Sequence, residues 1–533
     1  MRWFLLIILL LIPAWADQGH HHELSEQEIG SVHFTTSCAN PTAAPFNHAV
    51  ALLHSFQYEQ ARAVFSEVAS QDPTCAMAYW GIAMTHYHGL WGNGDTVAGR
   101  AALQKARDTA RANVKISPRE KQYIEALSEI YAVDERGDPP HARAFEEKMA
   151  ALQAAYPEDV EAAIFHALTL SVTAPKTDKT FANQKKCGEI LEPVLEKRPN
   201  HPGVAHYLIH CYDNPVLAEN GLKAARTYAK IAPASAHANH MPSHIFTRVG
   251  SWQESIESNR RSAALAAAAE PESQNGEARD QRLHAMDYLE YAYLQSGQMR
   301  QAQAVLDEMN SLKPVSRLTL TGDYALAAIP ARNAIEAGDW KQAANLGVRN
   351  EGVPWARAIT WFAIGTGSIR LKDSARAAQA EQALADLRDE ARPRDTYWSN
   401  QIEVQRREVA ACIQEQQGKS TEALATMRSA TELEESMDKH AVTPGAIVPA
   451  REILAQMLVR ARRPQEALLE YEAVLKVAPN RFNALYGAGQ AAGDAGNQAA
   501  AQQYFRKLTE IAVGEERPEL LEARKAVATT ARK

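Results

Sequence analysis

The chain is 533 residues long, with 57 Lys and Arg against 64 Asp and Glu and a formal net charge of −7. That length exceeds what one compact core organises and suits several domains or one solenoid. The basic residues are dispersed, which excludes a nucleic-acid footprint and a polybasic membrane patch, and there is no acidic tail.

Residues 1–16 read as a signal peptide. Arg2 supplies the positive end, Phe4 to Ile12 the apolar core, and Ala14-Trp15-Ala16 the cleavage site. The apolar run is too short to span a bilayer, no Cys follows it for lipid attachment, and no later segment has transmembrane character. The expected location is periplasmic or secreted. Residues 17–44 form an N-terminal segment expected to be partly disordered. Its His20-His21-His22 tract is either a metal-collecting arm or a solvated tail. Export permits disulfides. Of the five cysteines, Cys38 and Cys75, and Cys187 and Cys211, would each link adjacent helical segments and leave Cys412 free, although sequence alone does not fix connectivity. No CxxC is present, so neither a thiol redox site nor a four-Cys zinc site is expected.

From about residue 45 to about 515 the hydrophobic period is helical, and Gly and Pro fall mostly between periodic segments. A repeat shows at both ends. Tyr58-Glu59-Gln60-Ala61 opens a helix, followed by Phe65 and Pro73; Pro464-Gln465-Glu466-Ala467 is followed by Tyr471 and Pro479, and Ala501 by Phe505. Small Ala lets two helices approach, the aromatic fills the groove, and Pro ends the second helix. Gly250-Ser251-Trp252, Gly297-Gln298-Met299, Gly338-Asp339-Trp340 and Gly418-Lys419-Ser420 each open a further second helix. Loops are inserted around Thr173–Phe181 and Val442–Pro449, and residues 516–533 form a C-terminal helix or tail.

These signatures resemble the tetratricopeptide repeat family. The resemblance implies an all-α, tetratricopeptide-like α-solenoid, a right-handed superhelix of about ten helix-turn-helix units, and a protein or peptide partner. Stretches such as Leu52-Leu53-His54-Ser55-Phe56 and His284-Ala285-Met286-Asp287-Tyr288 also look like a group of exported bacterial tetratricopeptide proteins.

Two His-x-x-x-His pairs, His206/His210 and His240/His244, stand 34 residues apart, one tetratricopeptide period. Spacing of i, i+4 puts both rings of a pair on one helix face. In the family the first helix of each repeat lines the concave groove, which implies that Gly203, His206 and His210, then His237, His240 and His244, then His284, Asp287 and Tyr291 face it. Asp213 falls one turn beyond His210. Imidazoles with a carboxylate suit a transition-metal ion such as Zn, Cu, Ni or Fe. The metal candidates are His206, His210, His240 and His244. Asp213, His237, His284, Asp287 and Tyr291 line the ligand groove. Pro242 either kinks its helix and keeps this face intact, the expected case, or sits at the first helical position and leaves His237 and His240 in a preceding loop. His54, His86 and His88 extend the polar groove, whereas His166, Trp355, Trp361 and Trp398 are expected to be packed.

No HExxH, GxSxG, Walker loop or dinucleotide fingerprint occurs. The leading expectation is an exported scaffold that binds a peptide, a small anion or a transition-metal ion in a His/Asp-lined groove. A metal-dependent hydrolase or oxidoreductase, with Asp287 or Asp213 as base, and a purely structural assembly platform are the alternatives.

Overall fold

The computed structural model describes residues 24–530 except 91–93, 134–137, 272, 274–275, 315–317 and 515–516. The signal-peptide segment and the His20-His21-His22 tract lie outside the described residues. Every regular element among the described residues is helical. The helices pack as consecutive antiparallel hairpins from Ala43–His54 with Tyr58–Gln71 to Phe482–Asp494 with Gln498–Ile511, and Pro518–Thr530 follows. The architecture is an all-α solenoid.

Local chemistry accounts for the hairpins. Asp95, Asp159 and Asp395 accept from first-turn amides of the helices they precede, and Ser117 with Glu120 forms a capping box. At most turns from a first helix to a second, one residue takes a positive φ, as at Phe56, Gly297, Gly338 and Gly418. At Gly250 (φ 70°) an added Cβ would also meet the Pro479 carbonyl oxygen at 2.3 Å, so conformation and space both require glycine there. In three hairpins the aromatic of the second helix stands on a glycine of a first helix: Phe65 on Gly81 and Tyr471 on Gly487 of the next one, and Phe505 on Gly489 of its own.

A simple solenoid touches only its neighbours. This one winds back on itself. Ala43–His54 packs on Pro202–Tyr212, and Glu277–Gln295 packs on Phe482–Asp494. Trp252 Nε1 donates to the Asn480 carbonyl at 2.9 Å, and buried Arg481 bonds Glu452 and Glu336 at 2.6 and 2.7 Å. The face expected to line an open groove is therefore enclosed. The two inserted loops meet over it, the Asp438 amide donating to the Lys176 carbonyl at 2.9 Å.

The N-terminal segment, expected to be partly disordered, is packed in its described part. Ile29, Val32 and Phe34 are buried, and the Ser31 amide donates to the Asn200 carbonyl at 3.0 Å. Cys38 is bonded to Cys75 and Cys187 to Cys211, and Cys412 is free. The second disulfide anchors the helix that carries His206 and His210.

A candidate metal centre of six histidines

Four helices present six imidazoles to one enclosed region. His206 and His210 come from Pro202–Tyr212, His237 and His240 from Ala236–His240, His244 from Pro242–Arg248 and His284 from Glu277–Gln295. Pro242 opens its helix as the first residue, where its missing N–H costs nothing. Met241 keeps helical angles (φ −53°, ψ −37°), so the chain continues across the break and His240 still lies beneath His244. Pro242 therefore sits at the first helical position and not inside a kinked helix, yet His237 and His240 stay helical and the face is whole.

The rings form two triads, His206 with His210 and His237, and His240 with His244 and His284. Within each triad one donor atom per residue lies within 4.8 Å of the others. In the first, His206 Nε2 is 3.1 Å from His210 Nε2 and 3.0 Å from His237 Nε2. In the second, His240 Nε2 is 3.0 Å from His244 Nε2. Three nitrogens around one tetrahedral ion at 2.0–2.1 Å stand about 3.3 Å apart, close to these separations. The triads are adjacent, with the His210 and His244 ring centres 6.1 Å apart and those of His237 and His240 6.3 Å apart.

The outer nitrogens fix the tautomers. His206 Nδ1 lies 2.5 Å from the His54 carbonyl, which only accepts, so Nδ1 carries the proton and Nε2 presents a lone pair. His244 Nδ1 donates to Asp213 Oδ2 at 2.9 Å and His240 Nδ1 to Asn259 Oδ1 at 2.7 Å. Asn259 cannot turn its amide group the other way, because its Nδ2 donates to the Ser255 carbonyl at 2.8 Å. Both Nε2 atoms of that pair are therefore bare in the neutral rings. A carboxylate or carbonyl holding the far nitrogen of a His is the usual support of a metal ligand.

Burial keeps the rings neutral. His206 is pulled down to about 3, chiefly by desolvation. His210, His237, His240 and His284 are held well below the ordinary imidazole value, by burial first and by neighbouring histidines second. His244 is also lowered, burial outweighing its bond to Asp213. Burial alone would raise Asp213, but Lys439 and Arg248 hold it well below the carboxylate range. Neutral imidazoles and an ionised supporting carboxylate are the protonation states metal ligation needs.

The column predicted from sequence divides. His206, His210, His237, His240, His244 and His284 come together, with Asp213 behind His244. Asp287 and Tyr291 join neither triad. They lie one and two turns past His284, where Leu320–Glu336 has replaced the His-bearing helices as the neighbour. Asp287 bonds Arg332 there, and the Arg332 guanidinium lies 5.5 Å from the Tyr291 ring centre. The Asp287 carboxyl is raised to about 6 by burial despite that bond.

A pocket of about 180 Å³ opens on His237, His240 and His284, so it reaches both triads. His86, His88 and Glu277 also line it. The Glu277 carboxyl is pushed up to about 8 by burial and by Glu59. Sequence reasoning passed over Glu277 and Asn259, which no motif marks. It also missed Glu161, whose two oxygens each bond a histidine, His54 and His201, at 2.8 Å. His166 packs with its Nδ1 on Gln153.

Comparison with protein families matches a tetratricopeptide repeat model to residues 482–512, the hairpin Phe482–Asp494 with Gln498–Ile511. The repeats are tetratricopeptide-like. Repeats of this kind generally mediate protein–protein interaction. A search of curated proteins finds no match. No helix among the described residues is long and apolar enough to cross a membrane.

Proposed function

We propose that this tetratricopeptide-like solenoid is an exported metal protein that binds two transition-metal ions, one in each imidazole triad. The observation that carries the reading is the His240–His244 pair. Two bare nitrogen lone pairs at 3.0 Å repel each other unless a cation lies between them. A proton there would require a buried imidazolium, which desolvation opposes. The all-nitrogen donor set favours Zn, Cu, Ni or Fe over Ca or Mg. Five of the six rings are almost fully buried, which supports an ion over a peptide, since a peptide would need the enclosed face opened. The two disulfides suit an oxidising compartment.

A catalytic role has one specific observation in its favour. The pocket that reaches both triads contains Glu277, a carboxyl that exchanges its proton near neutral pH and so suits general acid–base work. A metal ion bound there would supply an acidified water or a Lewis acid.

Elemental analysis of untagged protein tests the metal reading. Two ions per chain are expected, with one retained in His206→Ala, one in His240→Ala and none in the double variant. Wild-type protein that takes up no ion on dialysis against Zn, Cu, Ni or Fe salts, or variants that keep both, would overturn it.

A further inference from the structure

A larger cavity of about 500 Å³ lies beyond the His region, and Arg248, Asp438 and Lys439 form the shared wall. Its volume falls in the range of sites that enclose small organic ligands. Seven aromatic residues line it, among them Tyr324, Trp355, Tyr397 and Trp398. The Trp355 and Trp398 indoles lie nearly parallel, 9° apart with centres separated by 5.3 Å. The sequence places both tryptophans in helical patterns that suggest plain packing, yet they face this space.

The polar groups of the cavity are unequally provided for. Arg451 is paired with Glu435 and Glu470, Arg248 with Asp213 and Asp438, and Lys439 with Asp213. Glu408 has no such partner. It is 2% exposed, lines the cavity, and its Oε1 makes no hydrogen bond. Glu434 lines the same cavity, accepts one bond from the Ala450 amide at 3.0 Å, and lies near enough for its charge to bear on Glu408. Ionising both acids is costly, because Glu408 is buried without a cation and Glu434, half-buried, is only partly offset by Arg481 and Arg451. Burial first, and then mutual repulsion, raises the Glu408 carboxyl well above its usual range, and burial raises Glu434 to about 7.

We propose that this cavity binds an organic amine in its ammonium form, with the charged head at Glu408 and Glu434 and the apolar body among the aromatic rings. The ammonium supplies the hydrogen-bond donor and positive charge that Glu408 lacks. Aromatic faces attract a cation as well as apolar surface. A carboxylate ligand would bring a third negative charge to the pair, and a neutral one would leave the acids uncompensated. The site is separate from the histidine triads and does not depend on them.

Calorimetric titration of the full chain near pH 8, with 2-phenylethylammonium, 2-phenylethanol and phenylacetate as probes, tests this. The amine should bind at least about tenfold more tightly than the alcohol, and phenylacetate least tightly. Glu408→Gln combined with Glu434→Gln should reduce that preference to within about twofold and leave the alcohol's affinity unchanged, and Trp355→Ala should weaken both probes. The single Glu408→Gln variant, equal in shape, serves as the readout if the double variant loses its thermal transition. Equal binding of amine and alcohol, a preference that survives the Gln variants, or no saturable amine binding by about 10 mM would overturn the proposal.

Discussion

The Asp213 carboxylate holds His244 by its Nδ1 at 2.9 Å, which leaves the opposite nitrogen of that ring bare and 3.0 Å from His240 Nε2. One carboxylate thus decides the tautomer of a ring it supports from behind. Asp213→Asn should lower metal affinity at the second triad by about 10–100-fold, the usual cost of losing such a support. The first triad, oriented by the His54 carbonyl, should keep its affinity. Competition titration with a chromophoric chelator separates the two ions, and unchanged affinity at both would show that Asp213 does not orient a ligand.

Acidification should expose the cost of the buried rings. The His206 imidazole titrates at about 3 in the fold and near the ordinary 6.5 when unfolded. Its folded value is depressed, so between those pH values the unfolded chain takes up a proton that the native ring refuses. Stability from this ring is intact above about pH 6.5 and falls by about 1.4 kcal/mol for each pH unit below it. Buried carboxyls such as Glu277 and Asp287 contribute slopes of opposite sign, so the measurement is a difference. Metal-free wild type should lose stability relative to His206→Gln as urea unfolding is moved from pH 7 to pH 5. A constant difference would mean that His206 is protonated in the native state.

The Cys187–Cys211 bond closes a loop of 24 residues beneath the first triad. Replacing both cysteines by Ala should cost about 3 kcal/mol through the freed chain entropy of the unfolded state. It should also weaken metal binding at His206 and His210, whose helix it anchors. Thermal unfolding with and without a reductant is the check, and an unchanged midpoint in both would count against it.

Gly487→Ala tests the repeat packing. In an exposed helix this change would help by about 1 kcal/mol. Here the new Cβ would fall 2.2 Å from the Tyr471 ring, which stands on the glycine. The expected result is a loss of about 1–3 kcal/mol from overpacking. Denaturant unfolding that shows no loss would mean that Tyr471 moves aside freely.

The fold class was legible because helix period and the Ala–aromatic–Pro spacing are local properties of the chain. The equal offsets of the two His pairs brought most of the centre into view for the same reason. What the sequence could not show was how far the superhelix closes. Closure depends on contacts such as Trp252 with Asn480, far apart in the chain, and it turns an expected open groove into a buried chamber. It also explains why the predicted column ends at His284. Family geometry assigns Asp287 and Tyr291 the same face, but the helix facing them has changed by then, and Arg332 takes the carboxylate. Glu408 and the two indoles read as ordinary helix residues because nothing in their spacing reports a cavity.

The contact between the first hairpin and the fifth bears on how the chain folds. His206 Nδ1 finds its acceptor at His54, 152 residues earlier. Repeat arrays that touch only their neighbours can melt from either end, one unit at a time. A tie of that span makes the intervening repeats leave or stay together. Removal of the first hairpin should therefore not simply shorten the array. It would strip His206 of the group that sets its tautomer, so the amino-terminal repeat and the histidine chamber stand or fall as one cooperative unit.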